Sequence, residues 1–205
     1  MPKLYPGYRD EIRKKIVSEA FGVFLAKGFE KTTMDDIAAR LGVTKPAIYR
    51  YYKNKEELFL ASSAETMMGE FRRIFATSFA SDDLLTGAAL FFDEHLAINR
   101  KYSVVWKDME SIISRNPSYL ESAAGMHAEG LLFMQQFFQE QKRRGTIRTD
   151  IDDKDLTFLC STLAQGLTGS VNSGLDPAEA KRLWLLGFAK LAGVRAGKKQ
   201  EGKFF

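Results

Sequence analysis

Residues 33–58, TMDDIAARLGVTKPAIYRYYKNKEEL, are the most informative stretch of this chain. They predict two short helices joined by a tight turn and followed directly by the start of a longer helix. Gly42 lies in the turn, where a residue without Cβ adopts a positive φ at no steric cost. Ala38 is small enough for the two helices to cross closely, and we expect Val43 and Ile48 to pack against the first of them. The pattern fits a helix-turn-helix, the motif that places a helix in the major groove of DNA.

Helix-capping signals support this division of the stretch. Thr33, with Asp36 three residues later, resembles a capping box at the start of the first short helix. Thr44 is the expected N-cap of the second, and Pro46 lies in its first turn, where a missing N–H costs little. Asn54 is the expected cap of the longer helix that follows. The spacing of these caps therefore predicts two helices of about two turns each.

The overall composition is typical of a globular protein. The chain has 205 residues, of which 45% are hydrophobic and 27% are charged, enough for one large domain or two small ones. Its single cysteine, Cys160, excludes an internal disulfide and a thiolate metal cluster. The N-terminal sequence lacks the apolar run of a signal peptide, and no apolar stretch is long enough to span a bilayer. We therefore expect a cytoplasmic protein.

The excess of positive charge lies entirely in the N-terminal part. Residues 1–60 contain 12 Lys and Arg and 8 Asp and Glu, a net charge of +4, whereas residues 61–205 contain 18 of each. A basic surface attracts phosphate and releases counterions. A charge of this size is also ordinary for a protein surface, so it gains weight only beside the helix-turn-helix pattern.

The remainder of the chain has helical periodicity throughout. Apolar residues recur at intervals of three and four, which predicts an all-α fold. The first helix is expected at residues 8–27 and the fourth at about 55–77. Further helices are expected at about 84–99, 102–114, 118–143, 153–171 and 177–193.

Residues 16–59 resemble the TetR family of transcriptional regulators. The resemblance is carried, in order and in spacing, by Gly28-Phe29, Thr32-Thr33, Ile37-Ala38, Leu41-Gly42-Val43, Tyr49, Tyr51-Tyr52 and Lys55-Glu56-Glu57-Leu58. It implies a homodimer in which each subunit pairs a three-helix DNA-binding head with a larger helical body. It also implies that a small ligand in the body changes the separation of the two heads and releases a palindromic operator.

On this resemblance the chain is divided into three parts. Residues 1–54 are the expected helix-turn-helix domain, and residues 55–195 the expected helical-bundle domain for ligand binding and dimerisation. Residues 196–205 form a basic tail. The fold class is therefore all-α, with an N-terminal three-helix domain and a C-terminal helical bundle.

The resemblance also assigns residues to the DNA interface. These are Thr33, Thr44, Lys45, Pro46, Ala47, Tyr49, Tyr51, Lys53 and Lys55. Lys45 is the candidate for a base contact, because its ammonium can donate to guanine O6 and N7, and a phosphate contact is equally open. Tyr49 and Lys55 resemble the phosphate-contacting residues of the family. The alternative for Tyr49 is a partly buried aromatic residue that braces the head.

The body is rich in aromatic residues, most of which we expect in its core. The helices that line the ligand pocket of similar proteins carry Phe92, His95, Trp106, Met109, Glu110, Met126 and His127 here. We predict a mostly apolar pocket for a small molecule. For each of these residues, ordinary packing or a surface position is the alternative. No cofactor and no metal ion is expected.

The last two helices are the expected dimer face. Apolar stripes on them contain Leu156, Leu159, Cys160, Leu163, Leu167 and Val171 on the first helix and Leu183, Leu186 and Leu191 on the second. Two such pairs, one from each subunit, would form a four-helix interface. The alternative is that the stripes pack only within their own subunit.

Two other function classes compete with a ligand-responsive repressor. An enzyme is disfavoured, because the two histidines lack metal-ligand spacing and the sequence has no HExxH, GxSxG or phosphate-loop pattern. A DNA-binding protein without a small-molecule ligand is the other alternative. The large aromatic body disfavours it, because DNA binding alone does not need such a domain.

Overall fold

The computed structural model describes residues 7–81 and 83–194, apart from the side chains of Ser122, Ala123 and Met126. Over these residues the chain is helical and contains no strand, so the predicted all-α fold is confirmed. The helices are α1 (Tyr8–Lys27), α2 (Met34–Leu41), α3 (Lys45–Tyr49), α4 (Lys55–Ser78), α5 (Leu84–Lys101), α6 (Ser103–Arg115), α7 (Leu120–Arg143), α8 (Asp153–Asn172) and α9 (Pro177–Ala192). A 3₁₀ turn at Pro117–Tyr119 precedes α7. The predicted tail at residues 196–205 lies outside the described residues.

Local signals set the ends of the helices, as α9 illustrates. The Asp176 carboxylate accepts a hydrogen bond from the Glu179 N–H at 3.1 Å, and Pro177 follows in the first turn. Gly193 ends the helix at φ 64°, in the left-handed region that glycine adopts without strain. A Cβ at this position would overlap the carbonyl oxygen of Arg148, so the close approach also requires glycine.

The chain divides into two compact units. The first contains residues up to Glu70 together with Tyr102–Glu121, and the second contains Phe71–Lys101 and the chain from Ser122 onward. Residues 102–121 were predicted to belong to the body, whereas they cluster here with the helix-turn-helix. The predicted domain boundary at residues 54 and 55 stays a prediction.

Residues 102–121 are joined to the first unit by aromatic and polar contacts. The ring of Tyr102 meets that of Phe21 edge-on, with 5.6 Å between centroids. The Asn54 amide donates to the Tyr119 hydroxyl at 3.1 Å. The Asp108 carboxylate accepts from the backbone N–H of Phe29 at 3.4 Å, and this bond ties α6 to the loop that follows α1.

The core of the first unit is built around three phenylalanines. Phe59, at the start of α4, lies 5.0 Å from Phe24 and 4.9 Å from Phe29 between ring centroids. Ile37 of α2 and Ile48 of α3 are fully buried. These side chains fix α2 and α3 on α1 and α4, and leave the opposite face of the two short helices in solvent.

The second unit has a larger aromatic core. The Trp184 side chain is buried, and its Nε1–H donates to the carbonyl of Ala88 at 2.8 Å, which ties α9 to α5. In α9, a Cβ on Gly187 would overlap the side chain of Leu163. Helices α8 and α9 therefore pack closely because glycine leaves room for the leucine.

Candidate nucleic-acid interface

The start of α2 carries the predicted capping box. The Thr33 hydroxyl accepts from the Asp36 N–H at 3.1 Å, and the Asp36 carboxylate accepts from the Thr33 N–H at 2.9 Å. The same carboxylate pairs with Lys27 at 2.6 Å. The hydrogen bond from Lys27, followed by those from Thr33, lowers the pKa of Asp36 to about 2. Asp36 is therefore ionised at neutral pH, as the cap requires.

The turn between α2 and α3 has the predicted geometry. Gly42 adopts φ 66° and ψ 31°, and the Val43 N–H donates to the carbonyl of Ala38 at 3.0 Å. This pair of features closes α2 and redirects the chain into α3. The prediction for Val43 was wrong, because its side chain is 44% exposed rather than packed, whereas Ile48 is fully buried as expected.

The start of α3 differs from the prediction in its chemistry. Thr44 is at the N-cap, but its hydroxyl forms no capping hydrogen bond. The ordinary donors to an N-cap side chain are the N–H groups two and three residues later, which are the positions of Pro46 and Ala47. Proline has no N–H, and the Ala47 N–H donates instead to the Thr44 carbonyl at 2.9 Å. The hydroxyl of the exposed Thr44 is therefore left for solvent or a ligand.

The start of α4 has the predicted cap. The Asn54 side-chain oxygen accepts from the Glu57 N–H at 2.7 Å. The Glu57 carboxylate accepts from the backbone N–H of Lys53 at 2.7 Å, one residue before the position of an ordinary capping box. The side chain of Lys53 remains exposed.

The residues assigned to DNA share the solvent side of the helix-turn-helix. Thr33, Thr44, Pro46, Tyr49 and Lys53 are exposed, and Lys45, Ala47, Tyr51 and Lys55 are partly exposed. Tyr49 is 44% exposed, which favours the phosphate role over the bracing role. The contacts of these residues with DNA stay predictions.

Lys45 has an acidic neighbour that the sequence analysis did not pair with it. Its ammonium lies 2.9 Å from the carboxylate of Asp35 in α2, and both side chains are exposed. The hydrogen bond to Asp35 raises the pKa of Lys45. The lysine expected to contact DNA is thus held by an ion pair in the free protein.

Lys55 forms contacts within the protein that its predicted role in DNA binding did not include. Its ammonium donates to the carbonyl oxygens of Phe29 at 2.9 Å, Thr32 at 3.0 Å and Glu30 at 3.4 Å. It also lies 4.3 Å from the centroid of the Phe29 ring. These contacts fix the loop between α1 and α2, so the phosphate contact of Lys55, which stays a prediction, competes with them.

A cleft beside α3 was missed as a site. It has a volume of about 270 Å³ and is lined by Arg9, Asp10, Arg13, Arg50 and Tyr51. Tyr51 was among the predicted DNA contacts, and a contact of Arg50 with the DNA backbone was left open. The spacing of Arg9 and Arg13, four residues apart on one helix face, was the signal in the sequence that could have revealed it.

The residues predicted to bind a ligand are divided between the two units, and their role stays a prediction. Phe92, His95 and His127 belong to the second unit, whereas Trp106, Met109 and Glu110 belong to the first. Phe92 and Met109 are buried, and Trp106, Glu110 and His127 are exposed. Burial lowers the pKa of His95 to about 4, and its ring stacks on Phe91 with 5.5 Å between centroids. The side chain of Met126 lies outside the described residues.

The second unit contains a different cavity. It has a volume of about 340 Å³ and opens between α4 and α7. It is lined by Phe75, Ala76, Phe79, Phe133, Gln136 and Phe137. Its walls are mostly aromatic, and Gln136 supplies the polar side chain.

The predicted dimer stripe on α8 is partly internal. Leu156 and Cys160 are fully buried in the core of their own subunit. They cannot contact a partner subunit, so that part of the prediction was wrong. Leu163, Leu167, Leu183 and Leu186 are half-buried. The exposed apolar side chains of α8 are Leu159, at 43%, which belongs to the predicted stripe, and Phe158, at 57%, which does not. The apolar stripe alone could not reveal this, because a helix that packs on its own unit and one that packs on a partner have the same periodicity.

Two other kinds of site are absent from the described part of the chain. No group of three or more His, Cys, Asp or Glu side chains there could hold a metal ion. None of the helices described combines the length and the apolar character needed to cross a membrane.

The helix-turn-helix matches a known family. The model described as "Bacterial regulatory proteins, tetR family" matches residues 16–62. A crystal structure of a putative TetR-family transcriptional regulator from Mesorhizobium loti MAFF303099 superposes with a TM-score of 0.70 and 17% identity, over 91% of this chain and 97% of that one. The helix-turn-helix region of the chain is thus similar to that of the TetR family. The similarity in fold to this solved structure extends beyond the helix-turn-helix.

Curated relatives differ in how much of the chain they match. The HTH-type transcriptional activator FasR of Mycolicibacterium smegmatis is 43% identical over 53 residues, which are 26% of this chain and 24% of FasR. The HTH-type transcriptional repressor Rv1474c of Mycobacterium tuberculosis is 23% identical over 189 residues, 86% of this chain and 91% of the repressor. The higher identity is therefore confined to about a quarter of the chain, and the chain spans about a quarter of FasR.

Proposed function

We propose that this protein is a transcriptional repressor that binds a palindromic DNA operator as a homodimer and releases it when a small, mostly apolar molecule binds the body. The observation that carries the proposal is the helix-turn-helix. Its turn has the required left-handed glycine, Gly42, and the side chains of Thr44, Lys45 and Tyr49 reach solvent on α3. The similarity to Rv1474c over most of both chains favours repression over activation.

The first experiment is the selection of bound sequences from a random DNA pool at physiological salt. We expect a palindrome with half-sites about one helical turn apart, because the two heads of a dimer contact one face of the duplex. Lys45→Ala is expected to change the selected bases, whereas Tyr49→Phe weakens binding to all sequences equally. Lys190→Ala, which removes an exposed lysine from α9, is the matched control. Recovery of no enriched sequence by the unmodified protein would refute the operator.

The cavity of the second unit is the proposed ligand site. Four phenylalanine rings line it, and Gln136 offers one amide to orient a polar group. This composition favours a small aromatic or aliphatic molecule with one hydrogen-bonding group. Aromatic faces also bind quaternary ammonium ions, and a putative transcriptional regulator of similar fold from Saccharomonospora viridis was crystallised in complex with choline, so choline belongs in the ligand panel.

The ligand site is tested with a cavity-filling variant. Ala76→Trp introduces an indole at the cavity wall, and Ala97→Trp introduces the same group at an exposed position of α5 as control. The probe is 1-aminoanthracene, a neutral fluorophore whose emission rises in an apolar site. We expect Ala76→Trp to lose the signal while retaining DNA binding, and Ala97→Trp to retain both. Equal signals from the two variants would remove this cavity as the site.

The proposed dimer uses the exposed side of α8 and α9. Phe158 and Leu159 are too exposed to contribute to the core of a monomer, and exposed apolar patches mark interaction surfaces. Phe158→Glu is expected to convert a dimer to a monomer in sedimentation experiments at micromolar concentration. Leu132→Glu, at an exposed leucine of α7, is the control. A monomeric unmodified protein would refute the dimer.

A further inference from the structure

The cleft lined by Arg9, Asp10, Arg13, Arg50 and Tyr51 has an unusual charge balance. Three arginines and one aspartate line it, so the lining residues carry two excess positive charges around a volume of about 270 Å³. Arginine combines a fixed charge with a planar fork of donors that matches phosphate oxygens. The cleft, which we call the arginine cleft, therefore has the donor chemistry of a phosphate site.

The geometry of the cleft is partly fixed before any ligand binds. The guanidinium carbon of Arg13 lies 5.4 Å from the ring centroid of Tyr52, which is only 2% exposed. A buried aromatic ring thus holds Arg13 in place through a cation–π contact. On the other wall, the N–H groups of Tyr51 and Tyr52 donate to the carbonyl of Ile48, at 2.9 and 3.2 Å. These bonds keep Tyr51 in register with α3.

The position of the cleft indicates the source of the phosphate. Arg50 follows Tyr49 directly at the end of α3, so the cleft begins where the proposed DNA-contacting helix ends. Arg9 and Arg13 lie in the first two turns of α1, outside the helix-turn-helix itself. A duplex contacted by α3 through its bases would bring its backbone phosphates beside such a cleft.

We propose that the arginine cleft binds a DNA backbone phosphate beyond those contacted by the helix-turn-helix and thereby adds affinity without sequence preference. The proposal rests on the proposed DNA-binding function. Arg9 and Arg50 supply forked donors to the phosphate oxygens, Arg13 supplies charge from a fixed position, and the Tyr51 hydroxyl is a further donor. Asp10 opposes the contact through repulsion of the phosphate.

The first test measures how DNA affinity depends on salt. The full chain is compared with the double variant Arg9→Gln/Arg50→Gln, on the selected operator and on random duplex of equal length. The slope of log affinity against log salt should fall in magnitude by about 0.9 for each phosphate that the variant no longer neutralises. Affinity should fall equally on both duplexes. Arg100→Gln, at an exposed arginine of α5, is the matched control and should leave the slope unchanged.

A second readout locates the phosphate. Single phosphates of the operator are replaced in turn by neutral methylphosphonate. We expect one replacement in each half-site to weaken binding by the unmodified protein and to have no effect on the double variant. Asp10→Asn should raise affinity on both duplexes, a change that a purely structural role of the cleft would not produce.

The outcomes separate this proposal from the proposed function. If the unmodified protein binds no DNA, the proposed function has failed. If it binds DNA and the double variant has the same salt slope and methylphosphonate profile, only the cleft proposal is overturned. Inorganic phosphate is titrated into both proteins at low salt, followed by the arginine Nε–H signals in NMR spectra. One outcome would show that the cleft does not bind DNA: the unmodified protein binds phosphate saturably, the double variant does not, and the two proteins bind DNA equally. The ligand of the cleft would then be a free phosphorylated compound.

Discussion

The carboxylate of Asp35 in α2 lies 2.9 Å from the ammonium of Lys45 in α3. An acid therefore lies beside the lysine that we expect to contact DNA. Asp35→Asn is expected to strengthen binding to every sequence by up to about fivefold, because an exposed ion pair contributes about 0.2–1 kcal/mol and Lys45 no longer has to leave it. Equilibrium binding to the operator and to random duplex at fixed salt measures the effect.

The control for this change is a second exposed ion pair. Lys181 and Asp93 lie 2.5 Å apart in the second unit, and Asp93→Asn makes the same change in net charge there. We expect Asp93→Asn to leave DNA affinity unchanged. A similar gain in both variants would mean that net charge alone, and not the position of Asp35, controls binding.

Lys55→Met is expected to lower stability, because Lys55 fixes the loop between α1 and α2. The variant keeps an apolar stem against Phe29 but removes three hydrogen bonds to carbonyl oxygens. We expect the free energy of unfolding to fall by about 1.5–3 kcal/mol, the usual range for hydrogen bonds of a charged group. Thermal unfolding and the salt slope are measured together.

Lys53→Met is the matched variant, because the Lys53 side chain is exposed. It should leave stability unchanged and reduce the salt slope by about 0.9 if Lys53 contacts one phosphate. A reduced slope for Lys55→Met at unchanged stability would instead favour the phosphate contact that the family resemblance implies for Lys55.

Two glycines with positive φ should differ in their response to alanine. Gly42 adopts φ 66°, and an added Cβ would meet open space, so Gly42→Ala costs only the left-handed conformation, about 1–2 kcal/mol. Gly193 adopts φ 64°, and an added Cβ would overlap the Arg148 carbonyl. Gly193→Ala should therefore lower the free energy of unfolding further than Gly42→Ala, as measured by urea denaturation. Equal decreases would show that the Arg148 segment moves aside freely.

His95 should make stability depend on pH. Burial lowers its pKa from 6.5 to about 4, so between these values the unfolded state binds more protons than the folded state. The contribution of the neutral His95 to the free energy of unfolding is therefore fully present above pH 6.5. It is lost as the pH drops to 4, by about 3 kcal/mol in all. His95→Gln should flatten this part of the profile, whereas His127→Gln, at an exposed histidine, should not. Parallel profiles for all three proteins would refute the role of His95.

The sequence predicted the features that depend on neighbours along the chain. The ends of α1 and α4, the capping box at Thr33 and the turn at Gly42 follow from residues within four positions of each other. Predictions failed where the surroundings of a side chain depend on how the helices pack, or where the expected hydrogen-bond donor is missing. The Thr44 hydroxyl does not cap α3 because Pro46 lacks an N–H, and Val43 is exposed although its type predicts burial.

Part of the candidate site could also be predicted from neighbours along the chain, and part could not. The position of Lys45 and Tyr49 on the exposed side of α3 follows from helical periodicity and the buried Ile48. The pairing of Asp35 with Lys45 and the carbonyl contacts of Lys55 could not be predicted, because they join residues 10 to 26 positions apart. The arginine cleft needed the start of α1 beside the end of α3.

An all-α chain with a helix-turn-helix at residues 33–58 follows from the order of the residues alone, because helical periodicity, caps and a turn glycine act over one or two turns. Which side chains meet depends on how the helices pack. Packing grouped residues 102–121 with the first unit, buried Leu156 and Cys160, and brought Arg9 near Arg50. The reason is physical: burial and charge pairing depend on distances in space, which packing between helices sets and the order of residues along the chain does not.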